Sequence, residues 1–359
     1  MTNIHLTVPY LVFIGDVDST TYAKTGLGLV QWRPELVAGQ LRFPGNMLDL
    51  GVPDMTIDRA VKAGVKSLII GVAPVGGTIG QHWEAELLKA AAAGLDIVSG
   101  LHSPLEAILG LADTAALSNA RLINVRVPPS STPIATGRKR SGRRVLMVGT
   151  DCAVGKKYTA LALTESLNRT SIKATFRATG QTGIMIAGTG IPIDAVVSDF
   201  VAGAAEVISP DNEPDHWDVI EGQGSLFHPA YAGVSLGLLH GSQPDAIVVC
   251  HDAARQHIDS CPGFPIPSIT DCIDLNLRCA RLTNPDLICV GVSVNTSGLG
   301  SDERSRYLQT LEKETGLPCV DSVIDSCDAI AKNIHHHFSS NNNTKLSEQS
   351  SYAKCQFRY

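Results

Sequence analysis

The residues with the strongest chemical pattern lie between positions 149 and 159, in the run GTDCAVGKKYT. An apolar segment typical of a strand ends at Gly149, and the residues from Lys156 onward have the pattern of a helix. In such a loop, glycines let backbone amides turn toward an anion, the helix N-terminus adds positive potential, and a lysine reaches the phosphate oxygens. The run therefore predicts a phosphate-binding loop, with contact residues Gly149, Thr150, Asp151, Cys152, Ala153, Val154, Gly155, Lys156, Lys157 and Tyr158.

One position of this loop departs from the usual pattern, in which Gly-Lys is followed by Ser or Thr. That hydroxyl ligates the Mg²⁺ that bridges the phosphates of a nucleoside triphosphate. Here the position holds Lys157, which adds a positive charge and does not ligate a cation. A phosphorylated cofactor that needs no metal, such as coenzyme A, fits this loop better than ATP, and we expect no metal. The alternative is that Thr159, or an acidic group from another strand, completes a metal site.

The strand and helix that flank the loop belong to a longer alternation. Short apolar segments typical of buried strands alternate with helical patterns, which predicts α/β architecture with parallel sheets covered by helices. The predicted strands span 10–15, 37–42, 67–73, 96–100 and 121–126 in the first half, and 145–149, 218–223, 246–250 and 288–295 in the second. Gly15 and Asp16 end the first strand, where open α/β sheets place ligands. These two residues predict either a second ligand site or a subunit contact.

The composition changes between the two halves and again at the C-terminus. A stretch rich in Pro, Ser, Gly and cations separates the halves, and its basic run RKRSGRR (138–144) is typical of a solvated linker. We expect an N-terminal domain over 1–128, a linker over 129–144, a P-loop domain over 145–334 and a disordered polar tail over 335–359.

Net charge and cysteine usage narrow the class of protein. The formal net charge of the 359-residue chain is -6, and with a single short basic run it predicts no nucleic-acid or membrane partner. The nine cysteines lack paired spacing, which indicates a reducing compartment, and the first residues lack a signal peptide's basic region. We therefore expect a cytoplasmic protein. The apolar segment at 233–239 favours a homo-oligomer.

Longer strings carry a resemblance to known families. The loop and the EGQG run at 221–224 resemble dethiobiotin synthetase, an ATP-dependent P-loop enzyme. A fuller match, from about residue 10 to about residue 321, is to the DgcN family of D-amino-acid N-acetyltransferases, formerly a domain of unknown function. It rests on the strings at 30–35, 149–163, 177–188, 194–206, 215–251 and 291–297. The resemblance implies an N-terminal Rossmann-like parallel-sheet domain followed by a P-loop NTPase-like α/β domain. It also implies acetyl transfer from acetyl-CoA to the amino group of a D-amino acid, D-glutamate above all.

Acetyl transfer to an amine needs a proton acceptor, because the amine arrives as an ammonium. Glu221 ends a buried strand beside the loop and is the first choice for a catalytic base, although it could instead orient Lys156 or a water. His228 is a second catalytic candidate, as base or acid, with a buried structural role as the alternative. Asp199 is a third, because it interrupts an apolar helical pattern, and its alternative is a position on the helix surface.

Other polar residues suit substrate binding. Arg177 and Gln181 lie in the Gly-rich segment RATGQTG and could clamp a substrate carboxylate, since Arg offers a bidentate fork. Ser225 and His240 complete the predicted substrate-binding set. Cys152 could in principle accept an acetyl group, but direct transfer asks for no covalent intermediate and is the simpler hypothesis.

Two further functions stay open from the residues alone. The first is an ATP- and Mg²⁺-dependent ligase or kinase like dethiobiotin synthetase, which the loop and EGQG favour and Lys157 disfavours. The second is a non-enzymatic nucleotide-sensing regulator, for which a two-domain chain would be adequate.

Overall fold

The computed structural model describes residues 4–20, 22–73 and 77–339, which form two compact units. The first unit is Met1–Thr132 with Ala178–Val196, and the second is Pro133–Arg177 with Val197–Tyr359. The Gly-rich segment after Arg177 thus belongs to the first unit. The bounds of the four segments that we expected from the sequence stay predictions.

The strands are β1 (Tyr10–Gly15), β2 (Val37–Arg42), β3 (Ser67–Ile70), β4 (Asp96–Ser99), β5 (Leu122–Asn124), β6 (Arg143–Gly149), β7 (Ala174–Arg177), β8 (Trp217–Ile220), β9 (Ala246–Asp252), β10 (His257–Ile258), β11 (Cys261–Pro265), β12 (Ile288–Asn295) and β13 (Cys319–Val320). The helices are α1 (Lys24–Trp32), α2 (Ile57–Lys62), α3 (Glu84–Ala92), α4 (Leu111–Ser118), α5 (Lys156–Arg169), α6 (Gln181–Ala187), α7 (Val201–Ile208), α8 (Ala232–Ser242), α9 (Ile269–Ala280), α10 (Ser301–Thr315) and α11 (328–339).

The first unit is built on a five-stranded parallel sheet in the order β2-β1-β3-β4-β5. Every residue of β1, β3 and β4 is buried, as expected for strands covered on both faces. Thr56 begins α2 by accepting a hydrogen bond from the Arg59 amide, and α1 packs against α6. From β1 the chain adds β2 on one side and then β3 on the other side. The carboxyl ends of β1 and β3 therefore form a topological switch point.

The second unit contains a six-stranded parallel sheet in the order β13-β12-β9-β6-β8-β7 and a separate antiparallel ribbon, β10-β11. Strand β6 lies between β9 and β8, so the segment that follows it emerges from the middle of the carboxyl edge. α7 and α8 pack against each other at glycines: a Cβ at Gly241 would lie 2.1 Å from the Ala202 carbonyl oxygen. Part of the apolar segment 233–239 is therefore buried inside this unit.

The interpretation of the basic run 138–144 as solvated is wrong for two of its arginines. The side chain of Arg138 is 64% exposed, but those of Arg140 and Arg144 are 5% and 1% exposed. Arg140 donates to the carbonyl oxygens of Ser209, Gly241 and Ser242 at 2.6 to 3.0 Å, and burial lowers its pKa to about 10. Strand β6 begins inside this run, so the run lies at the amino edge of the sheet.

We expect Arg144→Met to lower the free energy of unfolding by about 3 kcal/mol, the scale for losing one partner of a buried charge network. Arg144 donates to the carbonyl oxygens of Arg140, Ser141 and Gly142 at 2.7 to 3.4 Å, and these would lose their donor. Arg138→Met is the matched control, with an expected cost of under about 1 kcal/mol because its ion pair is exposed. Urea unfolding of both variants checks this, and equal costs would contradict it.

The C-terminal end of the described chain is helical. Helix α11 continues through residues 335–339, the first part of the expected disordered tail, and residues 340–359 lie outside the described residues. Among the residues that the structure describes, no helix is long and apolar enough to cross a membrane.

Candidate functional site

The phosphate-binding loop connects β6 to α5 at the carboxyl edge of the second unit's sheet. Ala153 and Gly155 adopt left-handed backbone conformations, with φ of 54° and 104°. A Cβ at Gly155 would meet nothing within 4 Å, so glycine is favoured there by its φ and not by space. These two residues turn the chain into the helix, as the sequence pattern predicts for an anion-binding loop.

Lys156 curls back over the loop. Its side chain is buried, and its Nζ donates to the carbonyl oxygen of Asp151 over 2.6 Å. Burial lowers the pKa of this lysine, because desolvation disfavours the charged form. A bound phosphate would offset that cost with its own negative charge, which is the chemistry expected of the loop lysine.

Asp151 fastens the loop to the ribbon. Its Oδ2 accepts from Arg255 Nη1 and from the Asp259 amide, each at 2.7 Å, and its Oδ1 accepts from the Cys152 amide at 2.6 Å. Arg255 Nη1 also donates to the Cys152 carbonyl oxygen over 2.8 Å. The Asp151 carboxylate therefore holds the loop's shape, and its contact with a cofactor stays a prediction.

The hydroxyl of Thr159 faces the interior. Its Oγ1 lies 2.8 Å from Ser293 Oγ and 3.1 Å from Ser322 Oγ, and the residue is 1% exposed. In this structure the Thr159 hydroxyl is thus engaged with two interior hydroxyls, and the alternative that it ligates a metal stays a prediction. Lys157 has its Nζ 4.3 Å from the centre of the Tyr158 ring, a cation–π contact at the first turn of α5.

Glu221 belongs to the segment that passes beside the loop. It is the first residue after β8, which pairs with β6, and it is 5% exposed. The next residue, Gly222, is so close to β6 that a Cβ there would lie 1.7 Å from the Met147 carbonyl oxygen and 2.9 Å from Lys156 Cδ. The structure thus brings Glu221 to the loop, and EGQG needs its first glycine for this close approach.

Ser225 and His228 also lie next to residues of the loop. Ser225 Oγ donates to the Gly149 carbonyl oxygen over 2.9 Å, so this hydroxyl is engaged in joining two chain segments. His228 is 3% exposed and packs on Tyr231 with ring centres 4.5 Å apart. A ring nitrogen of His228 lies within 4.8 Å of ligand-type atoms of Asp151 and Cys152.

A backbone amide fixes the proton position on His228. The Ala230 N–H donates to His228 Nδ1 over 3.1 Å, so Nδ1 is unprotonated and the neutral ring carries its proton on Nε2. A histidine that ligates a metal does so through an unprotonated nitrogen, while its other nitrogen carries the proton and donates a hydrogen bond. In His228 the nitrogen left for a ligand is the protonated one. Although Asp151, Cys152 and His228 are metal-ligand types, the ring is therefore set up as a hydrogen-bond donor.

Family models match both units. A model described as a DUF1611 C-terminal P-loop domain of unknown function matches residues 133–331. A model described as the DUF1611 N-terminal Rossmann-like domain matches residues 44–128. The chain belongs to the DUF1611 family. This agrees with the resemblance noted from the sequence, and it confirms the α/β fold with a Rossmann-like sheet followed by a P-loop sheet.

Relatives of this DUF1611 chain include proteins with a named activity. A protein of Tritonibacter scottomollicae named D-glutamate N-acetyltransferase is 49% identical over 313 residues, which are 87% of this chain and 94% of that protein. A protein of the same name from a Pseudoalteromonas species is 45% identical over 326 residues, 91% of this chain and 98% of that protein. The crystal structure of a DUF1611 family protein from Anabaena variabilis has a TM-score of 0.82 at 32% identity and covers 92% of this chain and 100% of that one.

Three of the predicted site residues in the second unit are not brought to the loop, and Gln181 lies in the first unit, at the start of α6. Arg177 Nε donates to the buried Asp218 carboxylate over 2.8 Å. His240 Nε2 lies 3.0 Å from the Cys279 carbonyl oxygen, near the end of α8 and thus at the edge of the sheet opposite the loop. Asp199 lies exposed in a short 3₁₀ turn before α7 and not within the helix.

Two residues near the loop were missed from the sequence. Arg255 binds Asp151, as described above, and His251 Nδ1 lies 3.0 Å from Thr150 Oγ1. His251 is buried, which lowers its pKa, and its ring stacks on Tyr307. The available signal was the run CHDAAR at the end of β9, since a strand paired with β6 ends at the same edge as the loop.

Proposed function

We propose that this chain transfers the acetyl group of acetyl-CoA to the amino group of D-glutamate. The observation that carries the proposal is the close similarity, over most of both chains, to two proteins named D-glutamate N-acetyltransferase. That similarity extends through both units, so the same loop and the same sheet edges are available to this chain.

The phosphate loop is the proposed site for the phosphates of acetyl-CoA. Lys156 and Lys157 supply positive charge at its end, and backbone amides at the start of α5 supply donors. The position that usually carries the Mg²⁺-ligating hydroxyl is a lysine, and the nearby Thr159 hydroxyl is engaged in the interior. Both features support a cofactor whose phosphates are bound without a metal.

The proposed reaction is a direct attack of the amine on the thioester. Glu221 takes a proton from the ammonium, the nitrogen bonds to the carbonyl carbon, and the carbon–sulfur bond breaks to release the CoA thiolate. The nitrogen loses its second proton as the intermediate collapses to the amide, and the departing thiolate takes up that proton to give the free thiol. His228 Nε2–H is the proposed donor to the oxygen that gains negative charge in the tetrahedral intermediate.

Cys152→Ala should retain activity, within about threefold of the unsubstituted chain. Burial raises the pKa of the Cys152 thiol to about 11, so very little nucleophilic thiolate exists near neutral pH. Steady-state thiol release by the variant checks this expectation. Abolished activity in a variant with an intact fold would count against direct transfer and favour an acetylated cysteine.

One assay separates the proposed function from its alternatives. The purified full-length chain is incubated with acetyl-CoA and D-glutamate in EDTA, and free thiol is followed over time. Thiol release that requires the D-amino acid supports the proposal. A parallel reaction contains ATP and Mg²⁺ in place of EDTA, and ADP formation there without thiol release would instead indicate a ligase or kinase. If neither thiol nor ADP forms, the nucleotide-sensing role is the alternative that is left.

We also propose that the chain forms a homo-oligomer and works in the cytoplasm, as expected from its apolar segment 233–239 and its scattered cysteines. Within that segment Leu236 is 37% exposed while its neighbours Ser235, Leu238 and Leu239 are buried against their own unit. Light scattering on the purified chain measures the oligomeric state, and a monomer at micromolar concentration would contradict this part of the proposal.

A further inference from the structure

An arginine beside the phosphate loop presents an open hydrogen-bonding edge. Arg255 lies between β9 and β10, and its Nη1 donates to Asp151 Oδ2 and to the Cys152 carbonyl oxygen at 2.7 and 2.8 Å. Its Nε and Nη2 have no hydrogen-bond partner among residues 4–20, 22–73 and 77–339, and neither nitrogen is sealed from solvent. In arginine these two nitrogens form a fork that binds a phosphate or carboxylate at two points.

The guanidinium of Arg255 is held in place before any ligand binds. Asp151, to which it is bound, also accepts from the Asp259 amide at 2.7 Å and from the Cys152 amide at 2.6 Å, so this carboxylate is tied to both the ribbon and the loop. Two acceptors on Nη1 limit the rotation of the guanidinium. A group that is already oriented loses little freedom when it binds a ligand, which strengthens the binding.

The loop's own anion site faces away from Arg255. The peptide that joins Cys152 to Ala153 is trans, so its carbonyl oxygen points to Arg255 and the Ala153 N–H points in the opposite direction. In the described part of the chain this N–H has no hydrogen-bond partner, and the left-handed φ of Ala153 is typical of backbone nests that bind anions. The fork of Arg255 therefore lies at the rim of the nest and suits a phosphate other than the one inside it.

Two positive charges converge on this part of the loop. Burial raises the pKa of the Cys152 thiol to about 11, and the charges of Lys156 and Arg255 oppose this rise, so both cations act at the same loop position. The carboxylates of Asp151 and Asp259 offset part of their charge. The loop thus has a buried cation at its end and a second cation at its rim, an arrangement that suits a ligand with two separated phosphate groups.

We propose that Arg255 binds the 3′-phosphate of coenzyme A through Nε and Nη2, while the loop binds the diphosphate. This inference rests on the proposed function for the identity of the cofactor. Besides its diphosphate, coenzyme A carries a phosphomonoester on the ribose, which has nearly two negative charges at neutral pH. The arginine fork matches the oxygens of such a group. Arg255 therefore makes the chain selective for coenzyme A over 3′-dephospho-coenzyme A.

The test is isothermal titration of the full-length chain with coenzyme A and with 3′-dephospho-coenzyme A, which lacks only the phosphomonoester. We expect the unsubstituted chain to bind coenzyme A at least tenfold more tightly than the dephospho form. Arg255→Gln should weaken coenzyme A binding at least tenfold and leave binding of the dephospho form within threefold. Arg278→Gln removes an exposed arginine from α9 and is the control, which should change neither affinity.

A second variant separates phosphate binding from the support that Arg255 gives to Asp151. Arg255→Lys keeps a positive charge near the Asp151 carboxylate but has no bidentate fork. We expect it to lower the preference for coenzyme A at least threefold, again with binding of the dephospho form within threefold. Circular dichroism establishes that each variant is folded, and if Arg255→Gln does not fold, the result for Arg255→Lys decides.

Three results would overturn the inference: no preference for coenzyme A in the unsubstituted chain, equal weakening of both ligands in the Arg255 variants, or an unchanged preference in those variants. Equal weakening is the result expected of an arginine that only supports the loop. Thiol release by the unsubstituted chain reports on the proposed function separately. Thiol release with an unchanged preference would leave acetyl transfer standing and remove the Arg255 contact, whereas no thiol release and no coenzyme A binding would remove both.

Discussion

Lys156→Met should lower kcat/KM for acetyl-CoA by a factor of about 10² to 10³, the scale for removing a charged donor from a desolvated site. Lys156 is the buried cation of the loop, with its Nζ held at the Asp151 carbonyl oxygen. Methionine keeps much of the side-chain volume beneath Gly222 but removes the charge. Steady-state kinetics and equilibrium binding of CoA measure the loss.

This loss of activity should come without a loss of stability. Burial lowers the pKa of Lys156, so the folded state binds this proton less tightly than the unfolded chain does. The cost of burying the charge is fully present below the folded-state pKa and is relieved as pH rises past it. We therefore expect the urea midpoint of Lys156→Met to be no lower than that of the unsubstituted chain.

Lys173→Met is the matched control for charge. Its side chain is 61% exposed and lies 3.4 Å from Asp215, so both activity and CoA binding should stay within twofold. If Lys156→Met keeps CoA binding within threefold, the cofactor phosphates are bound elsewhere and the proposed loop site is wrong.

Glu221→Gln should lower kcat by a factor of about 10² to 10⁴, the range for removing a general base, with little change in KM for acetyl-CoA. Glutamine has nearly the same shape but accepts no proton from an ammonium. The residue is buried, and its neighbour Gly222 packs close to the loop lysine, so the shape-conserving substitution limits disturbance of the packing. Single-turnover thiol release separates the chemical step from product release.

The kinetic pattern distinguishes the two roles that the sequence left open for Glu221. A fall in kcat with unchanged KM supports the base, whereas a rise in KM for acetyl-CoA with kcat retained indicates a carboxylate that orients Lys156. Glu213→Gln removes an exposed carboxylate from the segment before β8 and should change neither constant. An unaffected Glu221→Gln variant would contradict both roles.

The main strands of both sheets followed from the sequence because they are buried on both faces. β1, β2 and β12 have the bounds that the apolar segments predicted. β7, β10, β11 and β13 were not predicted, and each is either an edge strand or only two residues long. Such strands bury one side or little of their length, so their residues carry no continuous apolar signal.

The candidate site was predictable in its backbone and less so in its side chains. The sequence by itself determined the loop between β6 and α5, its two lysines and the neighbouring Glu221, because these depend on contiguous residues and on strands that end at one edge. It also placed Arg177, Ser225 and His240 among the substrate contacts. In the folded chain these three bond to Asp218, to the Gly149 carbonyl oxygen and to the Cys279 carbonyl oxygen.

Only the tertiary structure decided those pairings, because each joins segments that are 39 to 76 residues apart in the chain. Strand register and helix packing determine which polar groups meet, and a buried polar group is stable only with a partner. The tautomer of His228 is instead set locally, by the amide of Ala230 two residues further along the chain. The residue types were visible in the sequence, but the long-range partner of each side chain was set by the fold.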